Sequence, residues 1–143
     1  VKKYPKHTGV TEKLHTLKVG DTLFIKNPVG TIKYKGPGVF LAGGAGITPF
    51  IAIFKDLKKK DKLNGNTLVF SNKKRIDIIL EDKLRELFNT NNLIFTLTEE
   101  KVNEYEYGRI NKKMLRDVFN DPKQNFYICG PSGFENNIKK YLK

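Results

Sequence analysis

The 143-residue chain has one cysteine, one methionine, two histidines and no tryptophan, and its cations before Arg75 are all lysines. Each shortage excludes something. A lone Cys129 cannot form an internal disulfide, and a reducing, cytoplasmic setting is the simplest expectation. One cysteine and two distant histidines, His7 and His15, do not make a metal ligand set. No apolar run approaches the roughly 20 residues needed to span a bilayer. The first residues lack the charged-then-apolar pattern of a secretory leader, so neither membrane insertion nor export is expected. Acidic residues are also scarce, 15 against 27 Lys plus Arg, for a net charge of +12. That excess could serve nucleic-acid binding. The lysines are scattered, however, as at 33–35 and 58–62, with no aromatic run interleaved. Solvated lysine-rich faces without nucleic-acid affinity are the favoured reading. Steering of a small acidic protein partner is a third.

What is present falls into two parts. From Val1 to Tyr34 the pattern is short and β-like. Thr22 to Lys26 alternates, and Thr31 to Tyr34 follows a Pro28-Val29-Gly30 turn, so both segments are expected as strands. Between Thr8 and Leu17 the spacing suggests a short helix, capped by Thr8 or Thr11, with Leu14 and Leu17 facing inward. Lys18 to Asp21 reads as a turn, and Lys35-Gly36-Pro37-Gly38 as the domain border.

Beyond the border, strands and helices alternate. Strands are expected at Val39–Ala42, Thr67–Ser71, Leu93–Thr98 and Asn125–Cys129. Helices are expected at Pro49–Lys59, Asp77–Phe88, Lys112–Phe119 and Ser132–Leu142. Pro49 suits a first helical turn, where its missing N–H costs nothing, and Asp77, Glu81 and Asp82 put acid near the start of the next helix. Glu99 to Tyr107 is polar and reads as a surface loop. Four β-α units of this spacing predict an α/β fold with a doubly wound parallel sheet and right-handed crossovers. The first 36 residues hold too little for a self-contained β domain. The expectation is therefore a chain cut at its N-terminus.

Two strings carry the candidate chemistry. Gly44-Ala45-Gly46-Ile47-Thr48-Pro49 joins a strand to a helix. Glycines there leave room for a pyrophosphate to approach the backbone and the helix N-terminus, whose N–H groups and dipole favour anions. The alternative is a tight structural turn. Cys129-Gly130-Pro131 ends another strand, roughly eighty residues on, as for neighbouring strands of a doubly wound sheet. Cys129 is either a small buried hydrophobe or a thiol at the mouth of a crevice. With no histidine near it in sequence, covalent catalysis is disfavoured and packing beside a bound ring is preferred. A third string, Ser71-Asn72-Lys73-Lys74-Arg75, follows the second strand, where a dinucleotide fold meets the adenine ribose. Cations there would accommodate a 2′-phosphate; a solvated basic loop is the alternative.

Taken together these residues resemble the ferredoxin–NADP reductase-like flavoprotein reductases, above all the small bacterial flavodoxin or ferredoxin reductases. The glycine turn with Thr48-Pro49 resembles the family's pyridine-nucleotide pyrophosphate loop, and Cys129-Gly130-Pro131 its Cys-Gly-Pro motif. Gly9-Val10-Thr11, followed by Leu14, Leu17, Gly20 and Asp21, resembles its second flavin segment, one residue shorter than the usual spacing. Phe134 stands where the family often has Met. The family's first flavin motif, Arg-x-Tyr/Phe-Ser/Thr, and its last strand are not present.

The resemblance covers nearly the whole chain and implies a division. Residues 1–36 would be the C-terminal part of an antiparallel flavin-binding β-barrel, and 37–143 the NAD(P)-binding domain. It implies hydride transfer from NAD(P)H, with NADPH favoured by the basic loop, to FAD, and electrons passed on to flavodoxin, ferredoxin or a similar acceptor. Thr48 and Cys129 would flank the nicotinamide, as the catalytic pair. Gly44, Ala45, Gly46, Ile47 and Thr48 would hold the pyrophosphate, with Gly130 and Pro131 beside Cys129. Ser71, Asn72, Lys73 and Arg75 would meet the adenosine end, and Gly9, Val10 and Thr11 the flavin pyrophosphate. The other expectation is an NAD(P)-binding module inactive alone.

Overall fold

A computed structural model describes residues 9–27, 29–119, 121 and 123–142. It divides into two compact units, Val1–Thr31 and Ile32–Lys143.

The described residues of the first unit include the helix α1 (Val10–Thr16), whose N-cap is Gly9. The N–H groups of Glu12 and Lys13 both donate to the Gly9 carbonyl at 3.1 Å. Thr11 lies inside the helix, so it is not the cap, and Thr8 lies outside the described residues, as does Pro28. Leu17 is 43% exposed and α1 buries no residue, so the inward face expected of Leu14 and Leu17 does not form. The turn at Lys18–Asp21 is present, closed by Lys18 N–H donating to Asp21 Oδ2 at 2.7 Å.

The two expected strands are not formed. Thr22–Lys26 pairs with no strand among the described residues, and Leu23, Phe24 and Ile25 are 54%, 94% and 83% exposed. Alternation makes a strand only where a neighbouring backbone accepts its hydrogen bonds and a face covers its side chains. Thr31–Tyr34 is not a strand either, because Ile32 and Tyr34 pack on the core of the second unit instead.

That unit is a parallel sheet between helices. In chain order it runs β1 (Gly38–Gly43), α2 (Thr48–Lys59), β2 (Thr67–Asn72), α3 (Glu81–Leu87), β3 (Leu93–Leu97), β4 (Glu106–Tyr107), α4 (Lys112–Asp117), β5 (Asn125–Cys129) and α5 (Ser132–Tyr141). The sheet order is β4-β3-β2-β1-β5, with every pair parallel. Strands covered on both faces read as unbroken apolar runs, and β1 is buried along its whole length. Phe40 and Ala42 face a core with Phe50, Phe54 and Leu84. Val39 and Leu41 face the opposite core, with Leu115 and Ile138. The Phe40 ring stacks on Tyr127 at 4.3 Å and meets Phe50 and Phe54 edge-on at 5.0 and 4.8 Å. The doubly wound α/β fold expected from the sequence is the one found.

Apart from shifts of one residue, four features differ from expectation. A 3-10 turn at Gly44–Ile47 runs straight into α2, so helical backbone begins at Gly44 rather than Pro49. Residues 77–80 are not helical with α3. Arg75–Asp77 is a separate 3-10 turn, Ile78 enters the core, and Leu80 caps α3 at φ 57°. The helix expected to reach Phe119 stops at Asp117. The polar loop contains β4, which pairs with Thr96 and Leu97 of β3. Two residues give no periodicity to read. Their pairing comes from Val102 and Tyr105 packing on the core and from Gly108, at φ 107°, donating its N–H to the Leu97 carbonyl at 2.8 Å.

Candidate functional site

From β1 the chain steps outward through β2, β3 and β4, then returns to the other side of β1 as β5. The order reverses between β1 and β5, and the crevice outside their carboxyl ends is where such sheets take ligands. The pairing of Ala42 with Cys129 brings the glycine turn and the Cys-Gly-Pro turn together there.

The two glycines of the turn do different work. A Cβ on Gly46 would lie 2.1 Å from the Cys129 carbonyl oxygen and 2.7 Å from Gly130 N. Its missing side chain lets the helical turn press against the end of β5, which corrects the reading that it clears space for a ligand. Gly44 sits at φ 52°, a conformation that favours glycine, and faces open space. Ala45 is exposed, whereas Ile47 is fully buried, so the Ile47 side chain belongs to the core. The backbone N–H of Thr48 and its Oγ1 both donate to the Ala45 carbonyl, Oγ1 at 2.9 Å. The unpaired N–H groups at a helix start are those of its first turn. The Thr48 N–H is engaged within the turn in this way and is not free for an anion.

Cys129 is half-buried and packs on the edge of the main core. Burial, and then the charge of Glu135, push its thiol above the usual range, which keeps it protonated. Glu135 Oε1 accepts the Gly130 N–H at 3.4 Å, and its Oε2 pairs with Lys139 at 3.3 Å. Both histidines lie before Ile32, so this unit contains no imidazole. Gly130 and Gly43 clasp the Phe134 ring, which would stand 2.7 and 3.0 Å from a Cβ on either. The aromatic side chain thus replaces the expected Met by packing between two glycines.

The Ser71–Arg75 string is split apart. Ser71 lines a cleft of about 310 Å³ with Thr98, Arg109, Gly133, Phe134 and Asn137. Asn72 is 6% exposed, does not line this cleft, and has no hydrogen-bond partner for its side-chain amide. Lys73 and Arg75 are ion-paired, Lys73 Nζ with Glu99 Oε1 at 2.7 Å and Arg75 Nε with Glu81 Oε2 at 3.4 Å. Thr98, Arg109 and Asn137 line the cleft without standing in any of the strings read from the sequence. Gly108 before Arg109 in a chain poor in arginine was the one available signal.

In the first unit, Gly9, Val10 and Thr11 form the start of α1, with no side chain capping it. Among the described residues, no helix is long and apolar enough to cross a membrane, and no group of three or more His, Cys, Asp or Glu could hold a metal ion.

This geometry is that of a dinucleotide-binding α/β domain, and comparison with known proteins gives the class a name. The family model described as "Oxidoreductase NAD-binding domain" matches residues 40–140. The chain belongs to this family, that of the ferredoxin–NADP reductase-like flavoprotein reductases. It is 32% identical to NADH-cytochrome b5 reductase 2 of Aspergillus oryzae, across 96% of this chain and 46% of that protein. It is 30% identical to NADH-cytochrome b5 reductase 3 of Mus musculus, across 90% of this chain and 52% of that one. The chain thus spans about half the length of these curated relatives. Among solved structures it resembles flavohemoglobin from Malassezia yamatoensis, at TM-score 0.81 and 23% identity, over 99% of this chain and 38% of that one. It also resembles a ferredoxin NADP+ reductase from Neisseria gonorrhoeae, at TM-score 0.75 and 20% identity, over 95% of this chain and 62% of that one.

Proposed function

We propose that this chain serves hydride transfer from NAD(P)H to FAD, with electrons passed on to a small electron-carrier protein. The observation that carries the reading is the meeting, at the switch point, of an open Gly44 turn with the Cys129–Gly130 backbone. When bound, the nicotinamide supplies a hydride and the flavin accepts it. The chain's own part is binding and placement. The Gly44–Gly46 turn takes a pyrophosphate, a role supported by the open space at Gly44, where a Cβ would meet no atom within 4 Å. Ile47 contributes through its backbone only. Thr48 and Cys129 flank the nicotinamide, with the protonated thiol setting distance and angle rather than moving a proton. Gly130 and Pro131 hold that end of the crevice. Ser71, Thr98 and Arg109 make the adenosine end. Gly9, Val10 and Thr11 offer a helix start to the flavin pyrophosphate, within residues 1–36 read as part of a flavin domain.

The acceptor is a small acidic carrier: flavodoxin or ferredoxin by family resemblance, or a cytochrome b5 as in the names of the curated relatives. The net charge of +12 supports electrostatic steering of such a partner.

A second reading is a nucleotide-binding module without turnover by itself. It is favoured by the absence of any strand among the described residues of 9–31. The test is anaerobic: incubate the purified chain with FAD, remove the excess, and add NADH or NADPH. Retained flavin that bleaches supports the reductase reading. Nucleotide binding without retained flavin supports the module. Binding of neither overturns both.

A further inference from the structure

The Cys-Gly-Pro turn joins β5 to α5 through a residue with little conformational restraint of its own. A Cβ on Gly130 would lie 2.7 Å from the Phe134 ring and 3.2 Å from the Gly43 Cα, so the position needs glycine. A glycine leaves the peptide before it free to rotate unless something outside holds it. The carbonyl of that peptide, from Cys129, is packed against Gly46. Its N–H, from Gly130, finds an acceptor in Glu135 Oε1. In a capping box, a first-turn carboxylate reaches back to the N–H of the N-cap residue. The N-cap of α5 is Pro131, which has no N–H, so the Glu135 carboxylate reaches one residue further, to Gly130. The Glu135 N–H donates to the Pro131 carbonyl at 3.1 Å, and one residue thus closes the turn from both ends. Glu135 is itself held, because its Oε2 pairs with Lys139 one helical turn on.

We propose that Glu135 is a positioning residue for the nicotinamide, whose carboxylate fixes the Cys129–Gly130 peptide and, through it, the Cys129 side chain against which the ring lies. The proposal rests on the reading that places the nicotinamide beside Cys129. The contacts of this peptide with Gly46, Gly43 and Phe134 are steric and limit how far it can move. The bond to Glu135 is directional and selects one orientation within that space. At 3.4 Å it is long for an N–H···O bond and adds little to stability. Its consequence is local, at the turn that carries the thiol. The charge of Glu135 is felt at that thiol, which it helps to keep protonated. An acceptor oxygen at this point is what the turn requires, so glutamine can stand in for glutamate and alanine cannot.

The test compares the purified chain with its Glu135→Gln and Glu135→Ala variants. Hydrogen exchange at the Gly130 amide is followed without ligand, affinity is measured for NADH and 5′-AMP, and the emission anisotropy of bound NADH reports how firmly the reduced ring is held. Glu135→Ala is expected to speed Gly130 exchange about fivefold and to lower the anisotropy, with both affinities within about twofold of the natural chain. Glu135→Gln should restore exchange and anisotropy. Unchanged exchange or unchanged anisotropy in Glu135→Ala would overturn the proposal. So would a parallel loss of NADH and 5′-AMP affinity, which a merely structural role would give, or a glutamine variant no better than the alanine one. A natural chain that binds no NADH, or binds it with a freely moving ring, would overturn the placement of the nicotinamide at this turn, and the proposal with it.

Discussion

Replacing Gly46 by alanine puts a methyl group into space already held by backbone. The new carbon would sit 2.1 Å from the Cys129 carbonyl oxygen and 2.5 Å from the carbonyl carbon. That is about 1.4 Å inside the ~3.5 Å of a comfortable contact. Neither neighbour is the far end of a flexible side chain, so the 3-10 turn and the end of β5 must separate. Forced overpacking of this kind costs about 1–3 kcal/mol, and a backbone-on-backbone clash belongs at the upper end. For a domain of this size, ~3 kcal/mol lowers Tm by about 10 °C. Gly44→Ala is the internal comparison. It meets no atom within 4 Å but must hold φ 52°, a cost of about 1 kcal/mol and a Tm fall of about 3–4 °C. The assay is thermal unfolding by circular dichroism, with NADH titration of each variant that folds. A Gly46→Ala variant within about 2 °C of the natural chain, or one less affected than Gly44→Ala, would refute the argument that Gly46 is demanded by the β5 contact.

Cys129→Ala should lower hydride transfer to bound flavin far more than nucleotide affinity, checked by stopped-flow reduction beside titration; equal losses would remove the positioning role. Glu81 gives a pH prediction. Burial opposes its ionisation, but hydrogen bonds from Tyr105 and Arg85 and the charge of Arg75 outweigh that, holding its carboxyl below the ordinary range. A depressed folded pKa contributes stability that is complete above the unfolded value of about 4.3 and is lost as pH falls through the folded one. Urea midpoints between pH 7 and pH 3 should therefore drop less steeply in Glu81→Gln, which should also be about 2 kcal/mol less stable at pH 7. Tyr127→Phe should cost about 1–2 kcal/mol. Its hydroxyl accepts the Lys35 N–H at 2.9 Å and donates to the Gly36 carbonyl at 2.7 Å. Faster hydrogen exchange at Lys35 is the accompanying signal, and unchanged exchange there would count against the bond.

The sequence by itself determined the parallel sheet. Strands buried on both faces must be continuous apolar runs, and Val39–Ala42 and Leu68–Phe70 show it without reference to anything distant. It also marked the two turns that the pairing of Ala42 with Cys129 brings together, because a glycine turn after one such run and Cys-Gly-Pro after another are local chemistry. Tertiary structure decided what depended on partners. Gly46 reads as ligand clearance until β5 is seen against it, 83 residues later in the chain. Lys73 and Arg75 read as free cations until Glu99 and Glu81 are placed beside them. Thr22–Lys26 has the alternation of a strand and no strand to pair with among the described residues, whereas Glu106–Tyr107 has no pattern and pairs because Tyr105 and Val102 are packed beside it. Periodicity reports which face of a segment wants burial. Ion pairs, close backbone approaches and strand partners are set by residues distant in sequence, and only the folded chain brings them into range.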